Sequence, residues 1–99
     1  MISRVTGEIL EITTSGVIVN VQGLGFHIQV PTTLSAQFSI GDATSVFTKL
    51  IVREDSLNLY GFESKEQREL FELLLTVDGI GPRLALAVLS DLSINSAYQ

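Results

Sequence analysis

The 99-residue sequence has no cysteine, no tryptophan and a single histidine. Without cysteine there is no disulfide, thiolate metal ligand or thiol nucleophile, and one histidine excludes a site built on several histidines. No apolar run reaches membrane-spanning length, and the first residues lack the pattern of a signal peptide. We therefore expect a soluble, cytoplasmic protein without a membrane partner, a metal site or a cofactor.

Basic side chains are also few, because six Lys and Arg stand against eleven Asp and Glu, for a net charge of -5. This balance excludes a generic polycation that coats nucleic acid, although it leaves room for a few local contacts. Apolar residues make up 45% of the chain, enough for a core of modest size.

Residues 1–62 carry short β-branched or alternating segments separated by turn residues. Phe26, Ile28 and Val30, for example, alternate with polar residues, as in a strand that is buried on one face. Five such segments occur, and a short helical element, for which we expect Thr32 or Thr33 to be the cap, lies between the third and fourth. This order is typical of an oligonucleotide/oligosaccharide-binding (OB) fold, so we predict a five-stranded OB-fold barrel domain over residues 1–62.

From residue 63 the apolar period becomes helical. Ser64 and Gln67 form a capping box, and a second helix begins at Pro82, a favourable first helical residue. Ser93 has the features of another N-cap, so we predict a third helix that includes Tyr98. Because this helix has no end by Gln99, we expect the chain to be a fragment. One face of the first helix carries the apolar residues Leu70, Phe71, Leu74 and Leu75.

The connection between the first two helices carries the most informative motif, Gly79-Ile80-Gly81-Pro82-Arg83. Two glycines around an apolar residue, followed by proline, a basic residue and a helix, are typical of a helix-hairpin-helix. The glycines would allow unusual torsions and let a phosphate approach main-chain N–H groups at a helix N-terminus. Ile80 would hold the helices together, and Arg83 would add a charged contact. The alternative is a plain helical turn with a glycine C-cap.

Glu54 and Asp55 lie at the tip of a predicted β-hairpin. Adjacent acidic residues at such a turn are most often only solvated. A metal pair is disfavoured because no third ligand is near in sequence. An acidic wedge that repels phosphates makes sense only if DNA lies beside it. The sequence offers no catalytic set.

Motifs from all parts of the chain, in the same order, resemble those of the bacterial RuvA family of Holliday-junction proteins. They are Met1-Ile2-x-Arg4-Val5-x-Gly7, Gly23-x-Gly25-Phe26, Val52-Arg53-Glu54-Asp55, Leu59-Tyr60-Gly61-Phe62, Glu66-x-x-x-Leu70-Phe71 and Asp78–Ala87.

The resemblance implies a non-catalytic DNA-binding subunit of the RuvA–RuvB branch-migration complex, which binds four-way junctions in recombination, DNA repair and the SOS response to DNA damage. It implies a homotetramer in which Glu54 and Asp55 are acidic pins at the crossover. Gly79, Ile80, Gly81, Pro82 and Arg83 would contact DNA backbone. The RuvB ATPase would bind a region beyond Gln99, and the RuvC resolvase would act in the same pathway. Residues 63–99 would be a truncated helix-hairpin-helix domain that lacks the second hairpin and the C-terminal motor-binding domain.

Three alternatives stay open at this point. A barrel that binds single-stranded DNA or RNA would require exposed strand aromatics, for which Phe26, Phe47 and Tyr60 are the candidates. An oligomerisation module would use the glycines only as caps and would have no junction specificity. A nuclease or glycosylase would need a catalytic set, which we do not find.

Overall fold

The computed structural model describes residues 2–97, with side chains as far as Leu92. Within this part of the chain, five strands close into a barrel in the order β1-β2-β3-β5-β4. A short helix separates β3 from β4, and two helices follow β5. The bounds are β1 Arg4–Ile12, β2 Gly16–Val21, β3 Leu24–Gln29, α1 Thr32–Ser35, β4 Ala43–Val52, β5 Leu57–Phe62, α2 Lys65–Leu74 and α3 Pro82–Ala97.

Closure of the barrel depends on the long first strand. β1 pairs antiparallel with β2 through its second half and with β4 through its first half. A register shift between Ile9 and Glu11 marks an irregularity that lets the strand bend between its two partners. The parallel pairing of β3 with β5 completes the circuit. The predicted OB-fold barrel, with its short helix between the third and fourth strands, is thus confirmed.

The connection between β2 and β3 is a two-residue turn. Gln22 and Gly23 have φ values of 52° and 91°, as a type I′ turn requires. The Asn20 side-chain oxygen also accepts a hydrogen bond of 2.8 Å from the Gly23 main-chain N–H. This turn sets the hairpin register, in which Val21 lies opposite Leu24.

Two apolar clusters stabilise the structure. One fills the barrel and includes the fully buried residues Ile9, Val17, Val19 and Ile28. The other joins the end of β5 to the helices and consists of Tyr60, Phe62, Phe71, Ala85, Leu86 and Leu89. The Phe71 ring centroid lies 5.2 and 4.8 Å from those of Tyr60 and Phe62. The helices therefore pack on the last strand of the barrel. The predicted division into two domains at residue 62 stays a proposal.

Two helix boundaries differ from the sequence prediction. The residue at the N-cap of α1 is Pro31, with no side-chain cap, so the expected cap at Thr32 or Thr33 is wrong. α3 continues without interruption to Ala97, so the predicted third helix starting at Ser93 is also wrong. The reason is that the segment after Ser90 contains neither glycine nor proline to end a helix. Tyr98 lies outside the described residues.

Across the described residues, no helix is both long enough and apolar enough to cross a membrane.

Candidate nucleic-acid interface

The start of α2 is fixed by reciprocal side-chain hydrogen bonds. The Ser64 hydroxyl accepts a hydrogen bond of 3.2 Å from the Gln67 main-chain N–H. The Gln67 side-chain oxygen accepts one of 3.1 Å from the main-chain N–H of Glu63. The predicted capping box is confirmed, with the return contact one residue earlier than in the standard motif. The helix ends at Leu74, so residues 75–81 form the connection to α3.

Gly79 is required by the conformation of this connection. Its φ of +85° lies in the left-handed region, which favours glycine. The next residue, Ile80, donates a main-chain hydrogen bond of 3.1 Å to Val77, which closes the turn. The Ile80 side chain is partly buried and packs against the helical cluster, as the sequence predicts. The first glycine and the isoleucine therefore shape the hairpin.

Gly81 has no such role in the fold. Its φ is not positive, so the expectation of an unusual torsion is wrong at this position. A Cβ placed on Gly81 would meet no atom within 4 Å, so packing does not require a glycine either. Its carbonyl oxygen accepts a hydrogen bond of 3.0 Å from the Ala85 main-chain N–H in the first turn of α3, which begins at Pro82. The absence of a side chain leaves the main chain open to contact from outside.

Main-chain N–H groups without a hydrogen bond cluster at the start of α3. Among the hydrogen bonds of the described residues, none is donated by the main-chain N–H of Gly79, Gly81, Arg83 or Leu84. The donors in the first turn of a helix have no intrahelical acceptor, and the helix dipole adds partial positive charge there. These groups form a geometry suited to a phosphate.

Arg83 adds a full positive charge beside these donors. It is exposed in the first turn of α3 and borders a recess of about 510 Å³ between α3 and the barrel. The same recess is lined by the hydroxyl-bearing residues Thr14, Ser15, Thr32 and Ser90. Sequence reasoning did not foresee this recess, because its walls come from distant parts of the chain.

The acidic pair lies at the end of the β4–β5 hairpin. Val52 pairs with Leu57 at the base of the loop, and Arg53 N donates a hydrogen bond of 2.8 Å to the Ser56 carbonyl. Glu54 and Asp55 are exposed, and neither forms an ion pair with a residue that the structure describes. Between residues 2 and 97 there is no group of three or more potential metal ligands. The two carboxylates therefore form an acidic tip that faces solvent.

The elements that precede the acidic tip and the glycine hairpin run side by side. Arg68 in α2 is 5.7 Å from the Phe47 ring in β4, and Glu72, one turn later, is 3.8 Å from Lys49. α2 therefore runs alongside β4 in the same direction. β4 continues to the acidic tip, and α2 continues to the connection that contains Gly79.

The strand aromatics do not form an exposed stacking platform. Tyr60 is buried in the helical cluster, and Phe26 is partly buried against the barrel core. The Phe47 ring lies beneath the guanidinium groups of Arg4 and Arg68. This arrangement disfavours the alternative of a barrel that binds single strands by base stacking.

Comparisons with known proteins point to one family. The RuvA N-terminal domain family matches residues 1–61. The chain is 50% identical over 91 residues to a protein of Herpetosiphon aurantiacus and 47% identical over 90 residues to one of Nocardia farcinica, in each case over 91% of the chain. It is 42% identical over 96 residues, 96% of the chain, to a protein of Histophilus somni. All three are named Holliday junction branch migration complex subunit RuvA.

The chain spans about half the length of these curated relatives. The matched regions make up 46%, 45% and 47% of the proteins of Herpetosiphon aurantiacus, Nocardia farcinica and Histophilus somni, respectively.

Proposed function

The chain belongs to the RuvA family, and from this membership we propose that it is a DNA-binding subunit that recognises four-way Holliday junctions during branch migration. The named relatives are subunits of a branch-migration complex, which supports a binding role in recombination and DNA repair. In this proposal the subunit itself is non-catalytic and acts in the cytoplasm.

The glycine hairpin supplies the DNA contact in this proposal. The single observation that supports it best is Gly81, which the fold does not require, beside unbonded main-chain donors at the start of α3. These donors would bind backbone phosphate without reading bases, so a chain of net charge -5 needs no broad basic surface. Arg83 would strengthen the contact by its charge.

The acidic tip supplies selectivity for the junction. Its two carboxylates would repel phosphates and keep strands apart at the crossover, where four backbones converge. The parallel course of α2 and β4, which lead to the glycine hairpin and to the acidic tip, supports a single DNA-facing end.

The partners in this proposal are junction DNA, further copies of the chain in a homotetramer, the RuvB ATPase that drives migration and the RuvC resolvase of the same pathway. RuvB would bind outside the half of the family protein that this chain matches. Residues 1–62 and 63–99 would act as separate domains, a barrel and the first part of a helix-hairpin-helix unit.

A competition gel shift tests the proposal. Four-way junction, linear duplex and single strand compete at low salt for the wild-type chain, for Gly81→Ala and for Gly25→Ala as a control on the barrel. We expect a preference for the junction, a loss of affinity in Gly81→Ala for every DNA sequence, and no loss in the control. Preference for single strands would instead support the stacking alternative, and no binding at any salt would support an oligomerisation module.

A further inference from the structure

Two guanidinium groups share one aromatic ring on the side of the molecule formed by β1, β4 and α2. The Cζ atoms of Arg4 and Arg68 lie 4.9 and 5.7 Å from the Phe47 ring centroid. Each contact is within the range of a cation–π interaction, but the two like charges also repel each other. We refer to these three residues as the arginine cluster.

Both arginines of the cluster are held in position. Arg4 Nε donates a hydrogen bond of 2.7 Å to the Ser45 hydroxyl. Arg68 Nη1 donates one of 2.9 Å to the Ser3 carbonyl oxygen. A guanidinium has five N–H donors in a fixed plane, so each group keeps further donors for another acceptor. The cluster is therefore preorganised.

Neither arginine of the cluster forms an ion pair within the described part of the chain. The ion pair found there joins Lys49 to Glu72, 3.8 Å apart, and involves neither arginine. Lys49 and Arg68 also border a recess of about 140 Å³. Lys49 and Arg68, two of the six basic residues of an acidic chain, line this recess together with Glu72, and Arg4 contacts the same Phe47 ring as Arg68. A guanidinium with free donors fits a carboxylate, which it binds with two parallel hydrogen bonds.

We propose that the arginine cluster is an interaction surface that receives a carboxylate side chain of a second copy of this chain. A second copy can supply such a carboxylate, because the chain has eleven acidic residues. Among the residues described, Glu72 is the one acidic residue in an ion pair. Arginine and aromatic residues are enriched at the centres of protein interfaces.

The position of the cluster favours a protein partner over DNA. Arg68 precedes the end of α2 at Leu74 by about 9 Å at 1.5 Å per residue. Phe47 precedes the end of β4 at Val52 by about 17 Å at 3.4 Å per residue. The cluster thus lies back from the DNA-facing end. A contact between two different patches of identical chains forms a ring when the rotation from one copy to the next closes. The inference therefore deepens the proposed homotetramer and takes the number of copies from it.

The test is the mass of the chain by light scattering over a range of concentrations. The variants are Arg4→Gln/Arg68→Gln and, as a matched control, Arg53→Gln/Lys65→Gln, which removes two exposed cations outside the cluster. We expect wild type and the control to form the same oligomer, and the cluster variant to raise the dissociation constant at least tenfold. An unchanged constant in the cluster variant, or a monomeric wild type at every concentration, overturns the proposal.

A conservative variant keeps the test valid if the glutamine variant fails to fold by circular dichroism. Arg4→Lys/Arg68→Lys retains both charges but loses the planar donor geometry, so we expect association weaker than that of wild type. Association equal to wild type in this folded variant contradicts a carboxylate bound by the guanidiniums.

Junction binding, measured on the same samples, separates this inference from the proposed function. If the cluster variant binds DNA more weakly at unchanged mass, the cluster contacts phosphate, and the inference is wrong. If the cluster variant dissociates while wild type shows no preference for the junction, the inference stands and the proposed function fails.

Discussion

The hydroxyl of Ser90 accepts a hydrogen bond of 3.0 Å from the main-chain N–H of Thr32, 58 positions earlier in the chain. The Thr32 hydroxyl donates a second bond of 3.3 Å to the same atom. Because the N-cap of α1, Pro31, has no side-chain acceptor, α3 supplies the cap that α1 lacks. One serine hydroxyl thereby couples the helical hairpin to the barrel.

Removal of this hydroxyl should destabilise the protein. Ser90 is 6% exposed, so Ser90→Ala would leave the Thr32 N–H without its acceptor in a part-buried site. We expect a loss of about 1–2 kcal/mol in the free energy of unfolding, measured by urea denaturation. Ser3→Ala, at an exposed serine of the barrel, is the control. Equal unfolding midpoints for the two variants would contradict the coupling.

The two glycines of the hairpin should respond differently to alanine. Gly79→Ala forces a left-handed torsion on a residue with a Cβ, which costs about 1–2 kcal/mol of stability. The Cβ of Gly81→Ala meets no atom within 4 Å. Because Gly81 directly precedes α3, where alanine is a weaker N-cap than glycine, we expect a loss of stability below about 1 kcal/mol. Thermal unfolding of both variants measures this difference.

DNA affinity should fall in Gly81→Ala, although its stability changes little. Gly81→Ala would block the approach of a phosphate and weaken a hydrogen bond to a charged group, at a cost of about 1.5–3 kcal/mol, or tenfold or more in the dissociation constant. Asparagine also tolerates the left-handed region, so Gly79→Asn serves as the control for turn geometry. Wild-type affinity in a stable Gly81→Ala variant would remove the main support for phosphate binding.

Neutralising the acidic tip should not weaken junction binding. Glu54→Gln/Asp55→Asn removes two exposed charges that form no ion pair within the described residues, so the free energy of unfolding should stay within about 0.5 kcal/mol of wild type. Because carboxylates repel phosphates, we expect equal or tighter binding to four-way DNA, with the largest gain at low salt. A gel-shift titration at two salt concentrations measures both effects. A large loss of affinity would instead indicate a metal site or a turn-stabilising role.

Local patterns predicted much of this structure. Alternation gave the barrel strands, the Ser64–Gln67 pair gave the start of α2, and Pro82 gave the start of α3. Each signal depends on residues close in sequence, which is why reasoning from spacing succeeds for them.

Contacts between distant residues were beyond such reasoning. The bond between Ser90 and Thr32 joins positions that no sequence period relates. The pairing of Arg4 and Arg68 on Phe47 likewise depends on how α2 packs against the barrel. The two hairpin glycines look alike in sequence, but only the backbone shows that Gly79 needs its torsion and Gly81 does not. Neither torsion nor packing explains the glycine at position 81, which is consistent with its proposed contact with DNA.

Gly7 in β1 is required for a different reason, because the main chains of β1 and β2 approach each other closely there. A Cβ on Gly7 would lie 2.9 Å from Val19 Cγ1 and closer still to the Asn20 carbonyl oxygen in the adjacent β2. Since a strand backbone cannot move aside without breaking its pairing, Gly7→Ala should cost about 1–3 kcal/mol of stability or more. The matched control is Gly25→Ala, where the nearest atom, Ile18 Cγ2, lies at an ordinary 3.4 Å. Urea denaturation should show a lower midpoint for Gly7→Ala, and equal midpoints would mean that the barrel opens at β1 more easily than its pairing implies.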